Sequence, residues 1–166
     1  VRKMKIIQHQ MNKFLFILGT SLMILLTSCM EQPVFEKSYS FKSNQWDMKA
    51  KPTFKVDIQD TSKLYDFTIT FRTTTDYEYN NVWFYLNTIT PSGEKGREPF
   101  EMKITNSDGS WTGKKTGTVV ETELFFKSKK LPVSGTYSFY LEQAITEPIL
   151  RNVLDVGLRV DYNQKK

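Results

Sequence analysis

The residues most clearly placed for chemistry are Leu26-Thr27-Ser28-Cys29, where an aliphatic residue and two small residues precede a cysteine. This pattern is a lipobox: small side chains fit the subsites of a signal peptidase, and a thiol can carry a thioether-linked diacylglycerol. Each CH₂ group buried in a bilayer contributes about 0.8 kcal/mol, and stable anchoring needs more than one acyl chain. The motif therefore predicts cleavage before Cys29 and a triacylated Cys29, with palmitate among its acyl chains, that holds the protein at a membrane.

The segment before Cys29 has the composition of a secretion signal. Its charged residues are four bases, Arg2, Lys3, Lys5 and Lys13. The run from Phe14 to Thr27 is nearly all apolar, and its 14 residues are fewer than the roughly 20 that a helix needs to cross a hydrocarbon core. We therefore predict a signal peptide over residues 1–28, with Met11 as an alternative translation start.

The rest of the chain divides into a short tether and one domain. Residues 29–37 contain Pro33 and few apolar side chains, which predicts a lipidated tether. Residues 38–166 show no internal repeat and no low-complexity stretch, which predicts a single domain. An aspartate after the lipidated cysteine retains many lipoproteins at the inner membrane. Met30 stands there instead, so we expect the outer membrane.

Composition argues against most kinds of catalytic and metal site. The one histidine, His9, lies in the predicted signal peptide, and the one cysteine is Cys29. The mature chain therefore has no imidazole or spare thiol for a nucleophilic triad or a histidine-based metal site. We expect no enzymatic activity, no cofactor, no metal and no small-molecule substrate.

The charge of the mature chain gives no reason to expect nucleic acid. The precursor has 23 basic and 18 acidic residues. Without the four bases that precede Cys29, 19 basic residues stand against 18 acidic ones, a net charge of +1. Affinity for nucleic acid rests on lysine and arginine neutralising phosphates, so we expect no such partner.

The domain shows the period-two alternation of half-buried β-strands. The alternating runs are Phe54–Ile58, Tyr65–Phe71, Phe100–Ile104, Tyr137–Leu141 and Val156–Val160. Val82–Leu86 is apolar on both faces, which indicates a central strand covered on each side, and Leu124–Phe126 is similar but shorter. With turn-forming residues between these runs, the pattern predicts an all-β fold, an antiparallel sandwich of about seven or eight strands.

One short helical turn is predicted near the C-terminus. Thr146 could cap it, and Pro148 occupies a first-turn position that helices tolerate. Its apolar face would consist of Ile149, Leu150, Val153 and Leu154.

The best candidate for a binding surface is the loop Tyr77–Asn81, with Trp111 as a second exposed aromatic. Tyrosine offers a large contact area and a polar tip, which suits a protein partner or a stacked sugar. We therefore take Tyr77, Tyr79, Asn80 and Trp111 as candidate partner or glycan contacts. A merely exposed loop remains the alternative. The basic cluster Lys127–Lys130 is either a solvated strand end or a surface for anionic head groups.

Several motifs in order along the chain resemble the gliding-motility lipoprotein GldH family. They are Cys29 with its lipobox, the aromatic strand Asn81–Leu86, Pro91-Ser92-Gly93, Gly109–Gly113 and Asp155–Val160. The resemblance extends from residue 11 to about residue 162. Among them, Cys29 carries over as a functional residue.

The resemblance implies an envelope lipoprotein of the gliding machinery and the linked type IX secretion apparatus. It implies partners among other envelope motility or secretion proteins, and it brings no enzymatic activity or cofactor. The chief alternative is a glycan-binding surface lipoprotein whose stacking platform is the Tyr77–Asn81 loop with Trp111. A hydrolase, which would need two facing carboxylates in a cleft, is the third alternative.

Overall fold

Antiparallel strands form nearly all the regular structure of residues 32–163, the part of the chain that the computed structural model describes. The strands are β1 (Phe35–Ser40), β2 (Gln45–Asp47), β3 (Thr53–Ile58), β4 (Leu64–Thr74), β5 (Asn81–Ile89), β6 (Lys95–Lys103), β7 (Lys114–Thr116), β8 (Val119–Lys130), β9 (Gly135–Gln143), β10 (Ile149–Arg151) and β11 (Val153–Tyr162). Within these residues, the one helical element is a 3-10 turn at Lys42–Asn44.

The strands form two large sheets and one small one. The five-stranded sheet has the order β1-β11-β4-β8-β7, and the four-stranded sheet has the order β3-β9-β5-β6. The third sheet pairs β10 with β2. Each ladder is antiparallel, as in β4 against β8 and β5 against β9.

The two large sheets face each other across one aromatic core. Rings from opposite sheets meet at Phe67 and Phe139, whose centroids are 5.3 Å apart. Phe100 on β6 and Phe126 on β8 meet edge to face at 4.8 Å along one open side of the sandwich. The predicted all-β antiparallel sandwich is therefore confirmed.

Strand β4 shows why the sequence pattern predicts this fold. Tyr65, Phe67, Ile69 and Phe71 are all buried, while the residues between them are half-buried on the other face. Successive side chains of a strand point to opposite faces, so a period of two places one set in the core. The alternating runs in β3, β9 and β11 are confirmed in the same way.

The predicted helical turn near the C-terminus is wrong. Ile149–Arg151 is strand β10, and Leu150 pairs with Trp46 of β2, both of them fully buried. Asn152 then adopts φ 64°, and β11 begins at the next residue. The spacing of Leu150 and Val153 fits a helix face, but the three-residue β10 and the start of β11, separated by a left-handed residue, bury the same side chains.

The prediction that Val82–Leu86 is covered on both faces is also wrong. These residues lie in β5, an interior strand of the four-stranded sheet, and Val82 and Phe84 are buried between the sheets. Trp83 points to the opposite face, where 42% of its surface is exposed. The outer face of this sheet therefore carries aromatic side chains, of which Trp83 is exposed.

The number of strands exceeds the predicted seven or eight because four of the strands show little alternation of apolar and polar residues. β2, β7 and β10 have three residues each, too few to show alternation. β1 is an exposed edge strand, and it takes in Phe35–Lys37 at the end of the predicted tether.

The signal peptide and lipobox predictions, which concern Leu26, Thr27, Ser28 and Cys29, lie outside the described residues. Between residues 32 and 163, no helix is long and apolar enough to cross a membrane.

Candidate functional site

Tyr77, the first candidate contact, is a core residue. Only 6% of its surface is exposed, and its ring meets Phe71 edge to face at 5.7 Å. Its hydroxyl donates a hydrogen bond to the backbone oxygen of Asn81 at 3.1 Å. Burial raises the pKa of this hydroxyl, with a smaller contribution from nearby Tyr79. The prediction that the loop exposes both tyrosines is therefore wrong for Tyr77.

The other three candidates lie near the surface at the same end of the sandwich. Tyr79 is 39% exposed, and Asn80 is exposed as well. The backbone oxygen of Asn80 accepts hydrogen bonds from the amides of Ile104 and Thr105, at 2.8 and 3.1 Å. Thr105 also forms a bridge with Trp111, which is partly buried against the core. The fold thus brings Asn80 and Trp111 together around Thr105, but it provides no exposed pair of tyrosines.

A group of aromatic side chains lies on the outer face of the four-stranded sheet, and Trp83 is its exposed member. We name the patch formed by Trp83, Tyr85, Arg97, Tyr140 and Glu142 the outer aromatic face. Strand alternation produces it, because Val82 and Phe84 point inward. The ladders then align the neighbouring strands: Tyr85 lies opposite Glu142 of β9, and Asn87 lies between Tyr140 and Arg97.

Arg97 ties two members of this patch together. Its guanidinium carbon lies 3.3 Å from the centroid of the Tyr85 ring, so the planar cation stacks on the aromatic face. Its Nε–H donates a hydrogen bond to Oε2 of Glu142 at 3.3 Å. Stacking and hydrogen bonding together restrict the rotamers of all three side chains, which lowers the entropy cost of any contact made through them.

Glu142 is the electrostatic centre of the outer aromatic face. Lys51 Nζ lies 2.6 Å from Oε1 of Glu142 and 5.9 Å from the centroid of the Tyr140 ring. The hydrogen bond from Lys51 is the main cause of a lowered pKa at Glu142, and the one from Arg97 adds to it while desolvation opposes it. The carboxylate is therefore ionised at neutral pH and holds both cations beside the aromatic rings.

The arrangement suits binding rather than bond chemistry. The patch combines tryptophan, tyrosine and arginine with one carboxylate whose partners are already in place. These three residue types dominate the energetics of protein interfaces, where they act as buried anchors inside a polar rim. Within residues 32–163, no group of three or more acidic, histidine or cysteine residues is placed to hold a metal ion.

A groove crosses the outer face of the five-stranded sheet. The groove has a volume of about 590 Å³, and small residues form its floor: Ser38, Thr68, Thr70 and Gly157. The Nε–H of Arg72 donates to both carboxylate oxygens of Asp155, at 2.9 and 3.0 Å. Arg159 donates a hydrogen bond to Asp161. Both arginines therefore already bind carboxylates of this chain, which leaves fewer of their donors free for a ligand.

Sequence reasoning missed the outer aromatic face, although one signal pointed to it. The segment Asn81–Asn87 is bounded by two polar residues and places Trp83 and Tyr85 on one face. Two aromatic side chains at spacing i, i+2 in a strand must lie on the same side of the sheet. The pattern fits burial on both faces, and it also fits a strand with one exposed aromatic face.

Comparisons with known proteins agree on one family. A model of the family described as GldH lipoprotein matches residues 33–160. A gliding motility lipoprotein GldH homolog of Christiangramia forsetii is 29% identical over 146 residues, which cover 83% of this chain and 89% of the relative. The gliding motility lipoprotein GldH of Flavobacterium johnsoniae is 28% identical over 145 residues, covering 83% and 90%.

Solved structures offer weaker likenesses. The crystal structure of tripeptidyl peptidase 2 matches with a TM-score of 0.48 and 14% identity, covering 81% of this chain and 10% of that one. A likeness at this level says nothing about the activity of the chain.

Proposed function

Because the chain belongs to the GldH lipoprotein family, we propose that it is a noncatalytic, lipid-anchored envelope component of the gliding-motility and type IX secretion machinery. It acts through protein–protein contacts, and the outer aromatic face is the contact surface. The observation that carries this proposal is the exposed Trp83 beside a Tyr85 ring that Arg97 covers at 3.3 Å.

The composition of the patch supports a protein partner. A few tryptophan, tyrosine and arginine residues contribute most of the binding energy of typical protein interfaces. Trp83 leaves 42% of its surface exposed on an otherwise ordered sheet, and the ion pairs of Glu142 lie beside it. A partner that covers Trp83 would bury a large apolar ring while meeting a polar rim that is already hydrogen-bonded.

The lipid anchor determines where in the envelope this contact forms. Five residues separate Cys29 from Phe35, where β1 begins. Such a link spans at most about 20 Å when fully extended. With a triacylated Cys29, the domain stays close to its membrane and meets partners of the same envelope layer. Met30 after the cysteine favours the outer membrane.

One observation supports glycan binding as a second candidate function. An exposed tryptophan ring on a sheet face can stack on a sugar ring, and Trp83 fits this role better than the buried Tyr77. A glycan array with the wild-type chain and with Trp83→Ala distinguishes the two functions, since only a glycan-binding domain retains sugars in the absence of a protein partner.

A crosslinked pull-down from the native envelope tests the proposal with three variants. We expect wild type to recover motility or secretion components, Cys29→Ser to lose them with the anchor, and Trp83→Ala to recover at least about tenfold less. Tyr39→Ala is the matched control, because Tyr39 on the other sheet is also 42% exposed.

Recovery of the same proteins by Trp83→Ala and by wild type would show that the outer aromatic face is not the contact surface. A wild-type pull-down without motility or secretion components would contradict the assembly function itself.

A further inference from the structure

Strand β8 has an edge that lacks a neighbouring strand. On one side, β4 pairs with it along its length, from Val119 to Lys130. On the other side, β7 pairs only with Val119–Glu121. Beyond β7, Gly113 packs against this edge so closely that a Cβ on Gly113 would collide with the backbone oxygen of Glu121. From Glu123 onward, no other strand of residues 32–163 pairs with this edge.

An unpaired edge of this kind presents backbone N–H and C=O groups that can accept another strand. Natural proteins usually protect such edges. Here a bulge does so at the far end, where Ser128 adopts φ 56° and the register against β4 shifts between Tyr65 and Phe67. Between these two boundaries, Glu123–Phe126 stays in register with β4 and is open on its other edge, and Lys127 follows immediately before Ser128 of the bulge.

There is room beside this edge. A groove of about 430 Å³ runs between β6 and β8, and its lining includes Glu121–Phe125. The groove lies on the same open side of the sandwich as the contact between Phe100 and Phe126.

The side chains of the open segment alternate between the inner and the outer face of the sheet. Leu124 and Phe126 point inward, opposite Ile69 and Phe67 of β4. Glu123, Phe125 and Lys127 point outward, and Phe125 has the most exposed large apolar side chain of the described residues, at 56%. Within residues 32–163, neither Glu123 nor Lys127 has an ion-pair partner within 4.0 Å.

This order is complementary to itself. When two such segments run antiparallel with Phe125 opposite Phe125, Glu123 of each chain lies opposite Lys127 of the other. Cross-strand pairs of opposite charge and of two aromatic rings both stabilise a ladder, while like charges opposite each other destabilise it. A shift by two residues in either direction breaks both Glu123–Lys127 pairs.

Phe125 lies at the centre of the open segment, midway between Glu123 and Lys127. Symmetric pairing needs a surface that is complementary to its own copy, so that each residue's contact occurs twice. The segment between the two boundaries meets this condition, because a carboxylate and an ammonium lie at equal distances along the strand from Phe125.

We propose that two copies of this chain pair antiparallel along Glu123–Lys127 of β8, about a two-fold axis at Phe125. The pairing joins the two five-stranded sheets edge to edge. The lipid anchors, which confine both copies to one membrane surface, raise the effective concentration at which a short ladder forms.

Two differently tagged full-length copies, co-expressed and extracted in mild detergent, test the register directly. We expect the wild-type copies to co-purify. Two Glu123→Lys copies, or two Lys127→Glu copies, place like charges opposite each other twice and should co-purify at least about tenfold less.

The decisive sample combines the two single variants. A Glu123→Lys copy offers two lysines to the two glutamates of a Lys127→Glu copy, so every cross-strand pair is again opposite in charge. We expect this mixture to recover wild-type co-purification. Lys55→Glu is the matched control for charge reversal, since Lys55 is exposed on a strand of the other sheet. It should co-purify like wild type.

Three results would overturn the proposal. They are wild-type copies that do not co-purify, single variants that co-purify as well as wild type, and a mixture that fails to recover. If wild-type copies do not co-purify but capture an unrelated protein that both single variants lose, the edge binds that other partner instead. Unchanged thermal unfolding of each variant shows that a loss does not come from misfolding.

Discussion

Replacement of Trp46 by alanine is expected to lower the free energy of unfolding by about 3–5 kcal/mol. The side chain is fully buried, and its ring stacks on Phe41 with centroids 5.1 Å apart. Its indole N–H donates a hydrogen bond to the backbone oxygen of Ala50 at 3.1 Å. The substitution leaves a large cavity, and the short β2–β10 sheet loses one of the two fully buried side chains that pack it onto the core.

Chemical denaturation of the full chain, followed by circular dichroism, measures this loss. Trp83→Ala is the matched control, because it removes the same side chain from a site that is 42% exposed. We expect the control to lose less than about 1 kcal/mol. Equal losses for the two variants would mean that Trp46 is not packed in the core.

Tyr77→Ala is expected to cost about 3 kcal/mol of stability, since it empties a core site beside Phe71. Tyr77→Phe keeps the ring but removes the hydrogen bond to the backbone oxygen of Asn81, which should cost about 1 kcal/mol. Tyr79→Ala is the control, because this neighbour is 39% exposed. It should lose less than about 1 kcal/mol.

The same denaturation measurement applies to all three variants. A Tyr77→Ala chain as stable as Tyr79→Ala would favour the exposed loop that the sequence predicts and would contradict the buried position of Tyr77. It would also restore the loop as a candidate glycan platform.

Long strands with one buried face are predictable from sequence because their pattern is local. The run Tyr65–Phe71 places four apolar residues on one side, and the core receives those four. β7 carries no such information. Its three residues are exposed, and it exists because Lys114–Thr116 can pair with Val119–Glu121 of β8. Its partner follows across a two-residue turn at 117–118, but three exposed polar residues carry no hydrophobic pattern from which the pairing could be predicted.

The helical turn was predicted wrongly for a related reason. The apolar residues between Ile149 and Leu154 fit a helix face as well as they fit a short strand followed by the start of a longer one. The partner that decides between them is β2, about 100 residues earlier, where Trp46 faces Leu150 across the ladder. Tertiary pairing thus overrides a local apolar spacing.

The candidate site was the least predictable part of the chain. Tyr77 lies between two strands, in a position typical of exposed residues, but β4 supplies Phe71 as its core neighbour. Trp83 lies in an apolar strand, in a position typical of buried residues, but its side of the sheet is left open. Apolar residues on both faces of a strand indicate either full burial or an exposed binding face. Only the three-dimensional structure distinguishes them.

Site-specific photocrosslinking at Trp83 tests the central claim most directly. A photoreactive phenylalanine derivative replaces Trp83 in the lipidated full chain, and the native envelope is irradiated before denaturing purification. Tyr39, equally exposed on the other sheet, receives the same residue as a control. The account predicts adducts with motility or secretion proteins at position 83 and none at position 39. No adduct at position 83, or the same adducts at both positions, would contradict a protein contact through the outer aromatic face.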